Sequence, residues 1–191
     1  LEPRALNELI ENWKEIQECP VKTPVTDESL KFLTEYKSFN IPSIFVPPVM
    51  HNKGNFIISL GSFCKWLSQQ AEALGVEIYP GFAASEVLTE NGKLKGIVTG
   101  DLGLTKEGEK GQNFQPGIEI HSKYTLFAEG CRGHLGKKLM DQFGLRKNAQ
   151  HQTYGIGLKE LWEVRDDVSN PGEVFHSIGW PLDDETYGGS F

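Results

Sequence analysis

Apolar residues recur at helical spacing in four stretches of the chain. The clearest covers residues 60–75, where they follow an i, i+3, i+4, i+7 pattern and Gly75 stands at the position of a left-handed cap. The same spacing predicts an amphipathic helix over residues 4–17 and a short helix capped by Thr26 or Asp27. A further helix is predicted over residues 134–143, with Gly144 as its cap.

Other apolar runs have the alternation or the flanking turns of strands. Residues 82–89 and 93–100 are predicted to form a hairpin, because Asn91-Gly92 between them is the strongest short turn signal. A strand over 118–128 is expected to end inside a sheet. Four more strands are predicted, at residues 76–81, 153–164, 173–182 and 186–191.

These elements are of two kinds and predict the fold class. Helix-to-strand units typical of α/β connectivity lie between residues 60 and 145, whereas antiparallel strands gather between 150 and 191. The expected class is therefore mixed α/β (α+β), with one layer built like a nucleotide-binding domain and a mostly antiparallel sheet joined to it.

Residues 39–59 are apolar but interrupted by prolines at 42, 47 and 48. Proline removes a hydrogen-bond donor, so this stretch cannot be a central strand. Two interpretations stay open at this point. The stretch is either an edge strand and loop packed in the core or an exposed apolar ridge that meets a membrane or a partner.

Charge and length narrow the class of protein. The 191 residues carry a formal net charge of -7 and lack a basic run, which argues against a nucleic-acid-binding protein. No apolar run approaches the roughly 18 residues of a membrane span, and no signal peptide begins the sequence. A soluble or peripheral protein is expected. Because the sequence begins with Leu1 and ends within an apparent strand, we expect a piece of a longer polypeptide.

The cysteines and histidines, the residue types that most often bind metals, are widely spaced along the sequence. Three cysteines, at positions 19, 64 and 131, include no CxxC pair, so these three alone can form neither a zinc site nor an iron-sulfur cluster. They are expected to be reduced thiols. The five histidines likewise lack short ligand spacing, and no metal-binding residue is predicted in this chain.

The stretch TLFAEGCRGHLGKKLM, residues 125–140, joins a predicted strand to a predicted helix through Ala128-Glu129-Gly130. Glycine lets the main chain approach a ligand closely, and the first amides of a helix point at phosphate oxygens. A carboxylate at that place accepts hydrogen bonds from sugar-like hydroxyls. The turn therefore suits a flavin dinucleotide, although an ordinary strand-to-helix turn has the same pattern.

The segment FAEGCRG resembles the second flavin-contact motif of glutathione-reductase-type FAD proteins, which reads small residue, Asp, Gly, two variable residues, Ser. Glu129 replaces the Asp and Gly133 replaces the Ser. Together with HNKGNFI, AEALGVEIYPGFAASEVL, TYGIGLKELWEV and GWPLDDETYGGSF, it makes the chain similar to the electron transfer flavoprotein:ubiquinone oxidoreductase family over nearly its whole length.

This resemblance implies an electron-transferring-flavoprotein dehydrogenase that carries FAD and one [4Fe-4S] cluster and passes electrons from electron transfer flavoprotein to ubiquinone. The cluster ligands would lie outside this chain, and the isolated piece is expected to be inactive. The enzyme would be a peripheral protein of an inner membrane, on the bacterial cytoplasmic or mitochondrial matrix face. Residues 1–58 would lead to the quinone and membrane surface, 59–148 would belong to the FAD-binding domain, and 149–191 to the ubiquinone-binding domain.

The resemblance also assigns site residues, and it implies no catalytic acid or base. The implied FAD contacts are Glu129, Gly130, Cys131, Arg132, Gly133, Ala84, Ser85 and Val87. The implied ubiquinone contacts are Tyr187, Gly188 and Gly189, and the implied membrane surface contains Phe39, Ile41, Ile44 and Phe45.

Two other functions are compatible with the same residues. A related FAD-dependent dehydrogenase or geranylgeranyl-reductase-like flavoprotein would share the FAD layer and use a different acceptor. The other alternative is a non-catalytic module that binds quinone or the surface of a partner protein.

Overall fold

Short helices and strands alternate along the chain in the computed structural model, which describes residues 1–183, 185–186 and 188–189. The helices of this part are α1 (Arg4–Leu9), α2 (Leu60–Ala73) and α3 (His134–Gln142). Its strands are β1 (Thr23–Pro24), β2 (Asp27–Leu33), β3 (Ser38–Ile41), β4 (Phe56–Ile57), β5 (Ala84–Glu90), β6 (Lys93–Thr99), β7 (Leu102–Leu104), β8 (Lys110–Gln115), β9 (Glu119–His121) and β10 (Glu173–Gly179). Two 3-10 turns cover Ser43–Phe45 and Pro48–Met50.

The strand pairings confirm the predicted mixed class, but not the predicted distribution, because the pairs within residues 84–121 are antiparallel whereas β10, which lies within 150–191, is parallel to its partner. Only the β10–β2 pair is parallel among the described strands; the pairs β1–β4, β2–β3, β5–β6, β6–β9 and β7–β8 are antiparallel. The chain divides into two units, which we call unit 1 (Leu1–Ile78 and Glu160–Phe191) and unit 2 (Tyr79–Lys159). The assignment of segments to FAD-binding and ubiquinone-binding domains stays a prediction.

Unit 1 contains a three-stranded sheet in the order β10-β2-β3. β10 runs parallel to β2 from Glu173 opposite Asp27 to Gly179 opposite Leu33. β3 pairs antiparallel with the other edge of β2 and places Ile41 opposite the buried Leu30. The proline-interrupted stretch thus begins as an edge strand and not as a central one, which is what its prolines exclude. It continues as two 3-10 turns because Pro42, Pro47 and Pro48 prevent further pairing.

A separate apolar cluster in unit 1 packs the segment around α1 against α2. Its buried members are Leu6, Trp13, Cys19, Val21, Phe63 and Trp66. The Trp13 ring meets Phe56 edge-on at a centroid distance of 5.4 Å, and its indole N–H donates to Asn7 Oδ1 at 2.7 Å. The Ser59 side chain caps α2 by accepting from the backbone N–H of Ser62, and Gly75 has a φ of +87°, so this helix and its cap are confirmed.

Unit 2 is built around the predicted hairpin. β5 and β6 join at Asn91 (φ +50°) and Gly92 (φ +72°), the pair of left-handed residues that this turn requires. β9 extends the sheet on the far side of β6. α3 packs on β5 and buries Leu135 and Leu139, which confirms the predicted helix. The glycine-rich segment after residue 100 folds into the β7–β8 hairpin.

Two helix predictions are wrong in part or in whole. The helix predicted over residues 4–17 ends at Leu9, and turns follow it to residue 15. The segment after Thr26 is the strand β2 instead of a short helix. β2 lies between β10 and β3, so pairing on both edges satisfies its backbone groups and outweighs the local helical spacing.

Two predicted strands do not form, and the strand predicted over 118–128 forms only at Glu119–His121, which is β9. Residues 76–81, 124–128 and 153–164 are irregular in the described structure, and large apolar side chains in them are exposed, among them Leu126 at 95% and Leu158 at 98%. No described strand pairs with these segments. Apolar alternation alone does not form a strand, since a strand needs a partner for its N–H and C=O groups.

Within the described residues, no helix is both long enough and apolar enough to cross a membrane.

Candidate functional site

The turn before α3 is organised by the carboxylate of Glu129. Its Oε1 accepts a hydrogen bond from the backbone N–H of Leu135 at 3.2 Å, and its Oε2 accepts one from Gly136 at 2.6 Å. Gly133 is the residue before the helix, and a Cβ on it would collide with the Glu129 side chain. The absence of a side chain at position 133 therefore lets the carboxylate fold back over the first turn of α3.

These contacts show what the beginning of α3 binds. The first N–H groups of a helix have no partner within the helix and carry partial positive charge, so they attract an anion. Here the carboxylate of Glu129 is that anion. Gly130 adds an accessible backbone, because its φ is +75° and nothing lies within 4 Å of the place where a Cβ would stand. The open backbone at Gly130, and not the occupied N–H groups of Leu135 and Gly136, is thus the part of the turn that a cofactor could approach.

The structure brings the two predicted halves of the cofactor contact together through His134, a residue that the sequence did not single out. Nε2 of His134 lies 3.0 Å from the carbonyl oxygen of Ala84 on β5, and Nδ1 lies 3.3 Å from Oε1 of Glu129. Ala84 and Glu129 are 45 residues apart in sequence, and the first residue of α3 connects them. His134 therefore anchors the turn to the hairpin.

The other predicted cofactor residues have varied contacts within unit 2. Ser85 donates from its hydroxyl to the carbonyl oxygen of Val98 at 3.2 Å, and Val87 pairs with Ile97 across the hairpin. Cys131 is an exposed free thiol. The Arg132 guanidinium lies 4.7 Å from the centre of the Tyr154 ring, a cation–π contact. The roles of these residues in binding FAD stay predictions.

The predicted quinone residues lie at the end of unit 1, and Tyr187 is outside the described residues. Gly188 has a φ of +146°, in the range that favours glycine. A Cβ on Gly189 would collide with the carbonyl oxygen of the buried Ser177 on β10. A cavity of about 220 Å³ lies here, and it is lined by Leu33, Ser177, Ile178, Gly179, Trp180, Pro181, Leu182 and Gly189.

The predicted membrane residues are distributed between surface and interior. Phe39, Ile44 and Phe45 are 53%, 84% and 74% exposed, whereas Ile41 is half-buried and lines a cavity. Val49, in the second 3-10 turn, is 93% exposed as well. We call Phe39, Ile44, Phe45 and Val49 the apolar ridge. Their exposure favours the interpretation of this stretch as a ridge over its interpretation as core.

A polar cluster beside that ridge was not predicted. Nδ1 of His51 lies 3.0 Å from Oε1 of Glu28, and the backbone N–H of Asn52 donates to the other oxygen of the same carboxylate. The Asn52 side-chain amide lies 3.0 Å from the carbonyl oxygen of Met50 and 3.3 Å from Nε2 of His176. We call Glu28, His51, Asn52 and His176 the polar cluster.

The polar cluster changes the acidity of Glu28. The backbone N–H of Asn52 lowers the pKa of this carboxyl below its ordinary value, and the hydrogen bond from His51 lowers it further. Its members come from positions 28, 51, 52 and 176, so no local motif connects them. The only local signal was a run of polar residues, His51 to Lys53, between two apolar stretches.

The cysteines are not arranged as a metal site. Cys19 is buried in the apolar cluster of unit 1, whereas Cys64 and Cys131 are exposed. Across residues 1–183, 185–186 and 188–189, no group of three His, Cys, Asp or Glu side chains could hold a metal ion. The donor set in this part of the chain therefore does not fit an iron-sulfur cluster.

Comparison with known proteins gives consistent matches. Residues 154–191 match the family described as "ETF-QO, ubiquinone-binding". The whole chain is 55% identical to electron transfer flavoprotein-ubiquinone oxidoreductase of Pseudomonas aeruginosa, of which it covers 35%. It is 52% and 50% identical to the mitochondrial proteins of that name from Bos taurus and Arabidopsis thaliana, of which it covers 31% and 30%. The chain thus spans about a third of the length of these relatives.

Proposed function

Because the chain belongs to the electron transfer flavoprotein-ubiquinone oxidoreductase family, we propose that the protein containing it passes electrons from reduced electron transfer flavoprotein to ubiquinone. The observation that carries this proposal is identity of 55% over the entire chain, together with the match of residues 154–191 to a ubiquinone-binding family. The overall reaction takes two electrons and two protons for each quinone and yields one quinol.

FAD would be held at the turn before α3. The N–H groups of Leu135 and Gly136 would hold the carboxylate of Glu129 in place, and Gly130 would let the main chain approach the pyrophosphate. Glu129 would then accept from hydroxyls of the cofactor. When bound, FAD supplies the ability to take and give one or two electrons. Ala84, Ser85 and Val87 on β5 would lie beside the adenine, since His134 already links this strand to the turn.

Ubiquinone would bind where Gly189 approaches β10. The tight approach of Gly189 to the Ser177 carbonyl leaves no room for a side chain at position 189, and the cavity beside it has mostly apolar walls. Such walls with a few backbone polar groups are typical of a site for a neutral aromatic ring. The chain supplies orientation and exclusion of water here.

The apolar ridge would insert into the membrane surface and make the protein a peripheral inner-membrane protein. Large contiguous exposed apolar patches mark sites of interaction, and a ubiquinone carries a long isoprenoid tail that resides in lipid. The ridge residues Ile44, Phe45 and Val49 are each at least 74% exposed.

A [4Fe-4S] cluster would take its ligands from the other two-thirds of the full-length protein. Cys19, Cys64 and Cys131 do not fit that role, because one is buried in an apolar cluster and the others are isolated on the surface. We assign no step to the cluster.

The test is electron transfer by the full-length protein that contains this chain. Purified protein should show a flavin absorbance spectrum and should reduce a short-chain ubiquinone when reduced electron transfer flavoprotein is the donor. Gly189→Ala should raise the KM for the quinone because the new Cβ collides with the Ser177 carbonyl. Gly61→Ala is the matched control, since nothing lies within 4 Å of that added Cβ. A colourless protein, or one that does not reduce quinone, would contradict the proposal.

A further inference from the structure

Residues 42–52, which we call the ridge loop, carry three of the four residues of the apolar ridge. β3 is paired with β2 up to Ile41 and so holds the beginning of the loop. Within the described structure, the backbone hydrogen bonds of residues 42–51 each span three positions, as the two 3-10 turns require. Such local bonds shape the turns but do not attach them to a neighbouring strand. The attachment of the loop beyond Ile41 therefore depends on side chains.

Glu28 attaches the other end of the ridge loop to β2. Its Oε1 lies 3.0 Å from Nδ1 of His51, and its other carboxylate oxygen accepts a hydrogen bond from the backbone N–H of Asn52. The Asn52 side chain extends this attachment, since its amide lies 3.0 Å from the carbonyl oxygen of Met50 and 3.3 Å from Nε2 of His176 on β10. We call the contacts of Glu28 with His51 and Asn52 the clasp. One carboxylate thus holds two consecutive residues at the end of the loop.

The ridge side chains themselves contribute little to holding the loop in place. Ile44, Phe45 and Val49 are mostly exposed, whereas the half-buried Val46 and Met50 line a cavity. A mobile loop loses conformational entropy when it binds, which weakens its affinity, and a loop already fixed in its bound form avoids that loss. The clasp is therefore a constraint that could decide how the ridge is presented.

The lowered pKa of Glu28 agrees with this geometry. The hydrogen bond from the backbone N–H of Asn52 is its largest cause, and the hydrogen bond from His51 is the next. Because both hydrogen bonds favour the charged form, the carboxylate is ionised at neutral pH and accepts charge-assisted hydrogen bonds, the stronger kind. The side chains of Glu28 and His51 are both partly buried, which limits screening of their contact by salt.

We propose that Glu28 is a positioning residue for the apolar ridge: its carboxylate fixes the end of the ridge loop on β2 and so presents the ridge residues of the loop together to a lipid surface. The inference rests on the proposed function, in which the ridge meets the membrane. Glu28 itself does not touch lipid in this account, and the clasp involves no covalent or redox step. Removal of the carboxylate should leave a mobile ridge loop on an otherwise intact sheet.

The first test is amide hydrogen exchange of the full-length protein without lipid. Glu28→Ala removes both acceptor oxygens, so amides within residues 45–52 should exchange about tenfold faster, the factor expected for loss of one hydrogen bond to a charged group. Amides of the β2–β10 pair should keep their wild-type rates within about twofold, because their bonds do not involve the loop. Glu28→Gln should give an intermediate rate, since its side-chain oxygen can still accept from Asn52.

The second test is binding of the full-length protein to vesicles of phosphatidylcholine, which carry no net charge. Glu28→Ala should weaken this binding by about threefold or more, because the apparent affinity falls with the fraction of protein that presents the ridge. Glu119→Ala is the matched control, since Glu119 lies 3.0 Å from His121 in unit 2, the same separation as in the Glu28–His51 pair. It makes the same change of charge and should alter neither loop exchange nor vesicle binding.

Unchanged exchange of the ridge loop in Glu28→Ala, or equal acceleration in the loop and in the β2–β10 pair, would overturn the inference. Fast exchange of the loop together with wild-type vesicle binding would overturn it as well, since the ridge would then not need the clasp. Failure of the proposed function gives a different result. Wild-type protein that does not bind vesicles would refute the membrane role of the ridge, and with it the lipid part of the inference, even where Glu28→Ala still frees the loop.

Discussion

The two candidate sites differ in how the chain assembles them. In unit 2, the turn before α3 is made by residues 129–136, and the contacts of Glu129 with the helix N–H groups span at most seven positions. In unit 1, the polar cluster joins residues 28, 51, 52 and 176, and its longest hydrogen bond in sequence spans 124 positions. The first site depends on local geometry, whereas the second depends on the sheet that brings β2 and β10 side by side.

The two sites should therefore respond differently to mutation. A local site loses function when one residue of the turn is altered, and the remainder of its unit need not change. An assembled site is sensitive to anything that disturbs the packing of distant segments. The following predictions test this contrast in the full-length protein.

The largest effect is expected from Trp13→Ala in unit 1. Trp13 is 1% exposed and packs against Phe56, so its removal should cost about 3–5 kcal/mol of unfolding free energy. Trp162→Ala is the control, because Trp162 is 75% exposed and should cost less than about 0.5 kcal/mol. Urea unfolding followed by circular dichroism measures both. Similar losses in the two variants would show that unit 1 is not held by this core.

The second effect is loss of flavin on Gly130→Ala. Gly130 and Gly144 both have left-handed φ values, +75° and +59°, and open space where a Cβ would stand. Alanine at either position should therefore cost about 1–3 kcal/mol of strain. Only Gly130→Ala should also reduce the flavin bound per protein, because only this turn faces the cofactor in our account. Equal flavin content in the two purified variants would remove Gly130 from the site.

A smaller effect is expected from Phe45→Asp in the apolar ridge. Removing one inserted aromatic side chain and adding a charge should weaken binding to anionic lipid vesicles by about tenfold. Leu74→Asp is the control, since Leu74 is 86% exposed but lies after α2, outside the ridge. Vesicle co-sedimentation compares the two. Unchanged binding of Phe45→Asp, or the same loss in both, would contradict a membrane role for the ridge.

The smallest effect concerns pH. Hydrogen bonds from Asn52 and His51 lower the pKa of Glu28, and His176 is the other titratable group on the same cavity. A carboxylate with a depressed folded pKa stabilises the fold above its unfolded pKa, and the stabilisation is lost as pH falls through the folded pKa. Glu28→Gln should therefore lower stability at pH 7 and flatten its decline below about pH 4.5. Thermal melts at stepped pH, with Glu119→Gln as control, measure this. Parallel pH curves for the wild type and Glu28→Gln would refute it.

The sequence predicted the local parts of the fold well. The Asn91-Gly92 hairpin, α2 with its Gly75 cap, and α3 follow from turn chemistry and spacing within short windows. The sequence misassigned β2, because its strand state comes from pairing with β10, almost 150 residues away. Of the strand predicted over 118–128 only Glu119–His121 has a partner, and the strand predicted over 153–164 has none in the described structure.

The same reasoning applies to the sites. The motif around Glu129 and Gly130 could be predicted from the sequence because its geometry is local. The contacts by which His134 links Glu129 to Ala84 could not be predicted. Glu28, His51 and His176 went unnoticed since no spacing rule connects positions brought together by a parallel strand pair and a proline-rich loop.

The most direct test of the account compares flavin content and quinone KM in Gly130→Ala and Gly189→Ala, side by side in the full-length protein. We predict that Gly130→Ala loses flavin, while its flavin-bearing fraction keeps the wild-type KM for ubiquinone. Gly189→Ala should keep its flavin and show a raised KM. If both variants lose flavin and quinone affinity together, or if neither measurement changes, the assignment of the cofactor to unit 2 and of the quinone to unit 1 is wrong.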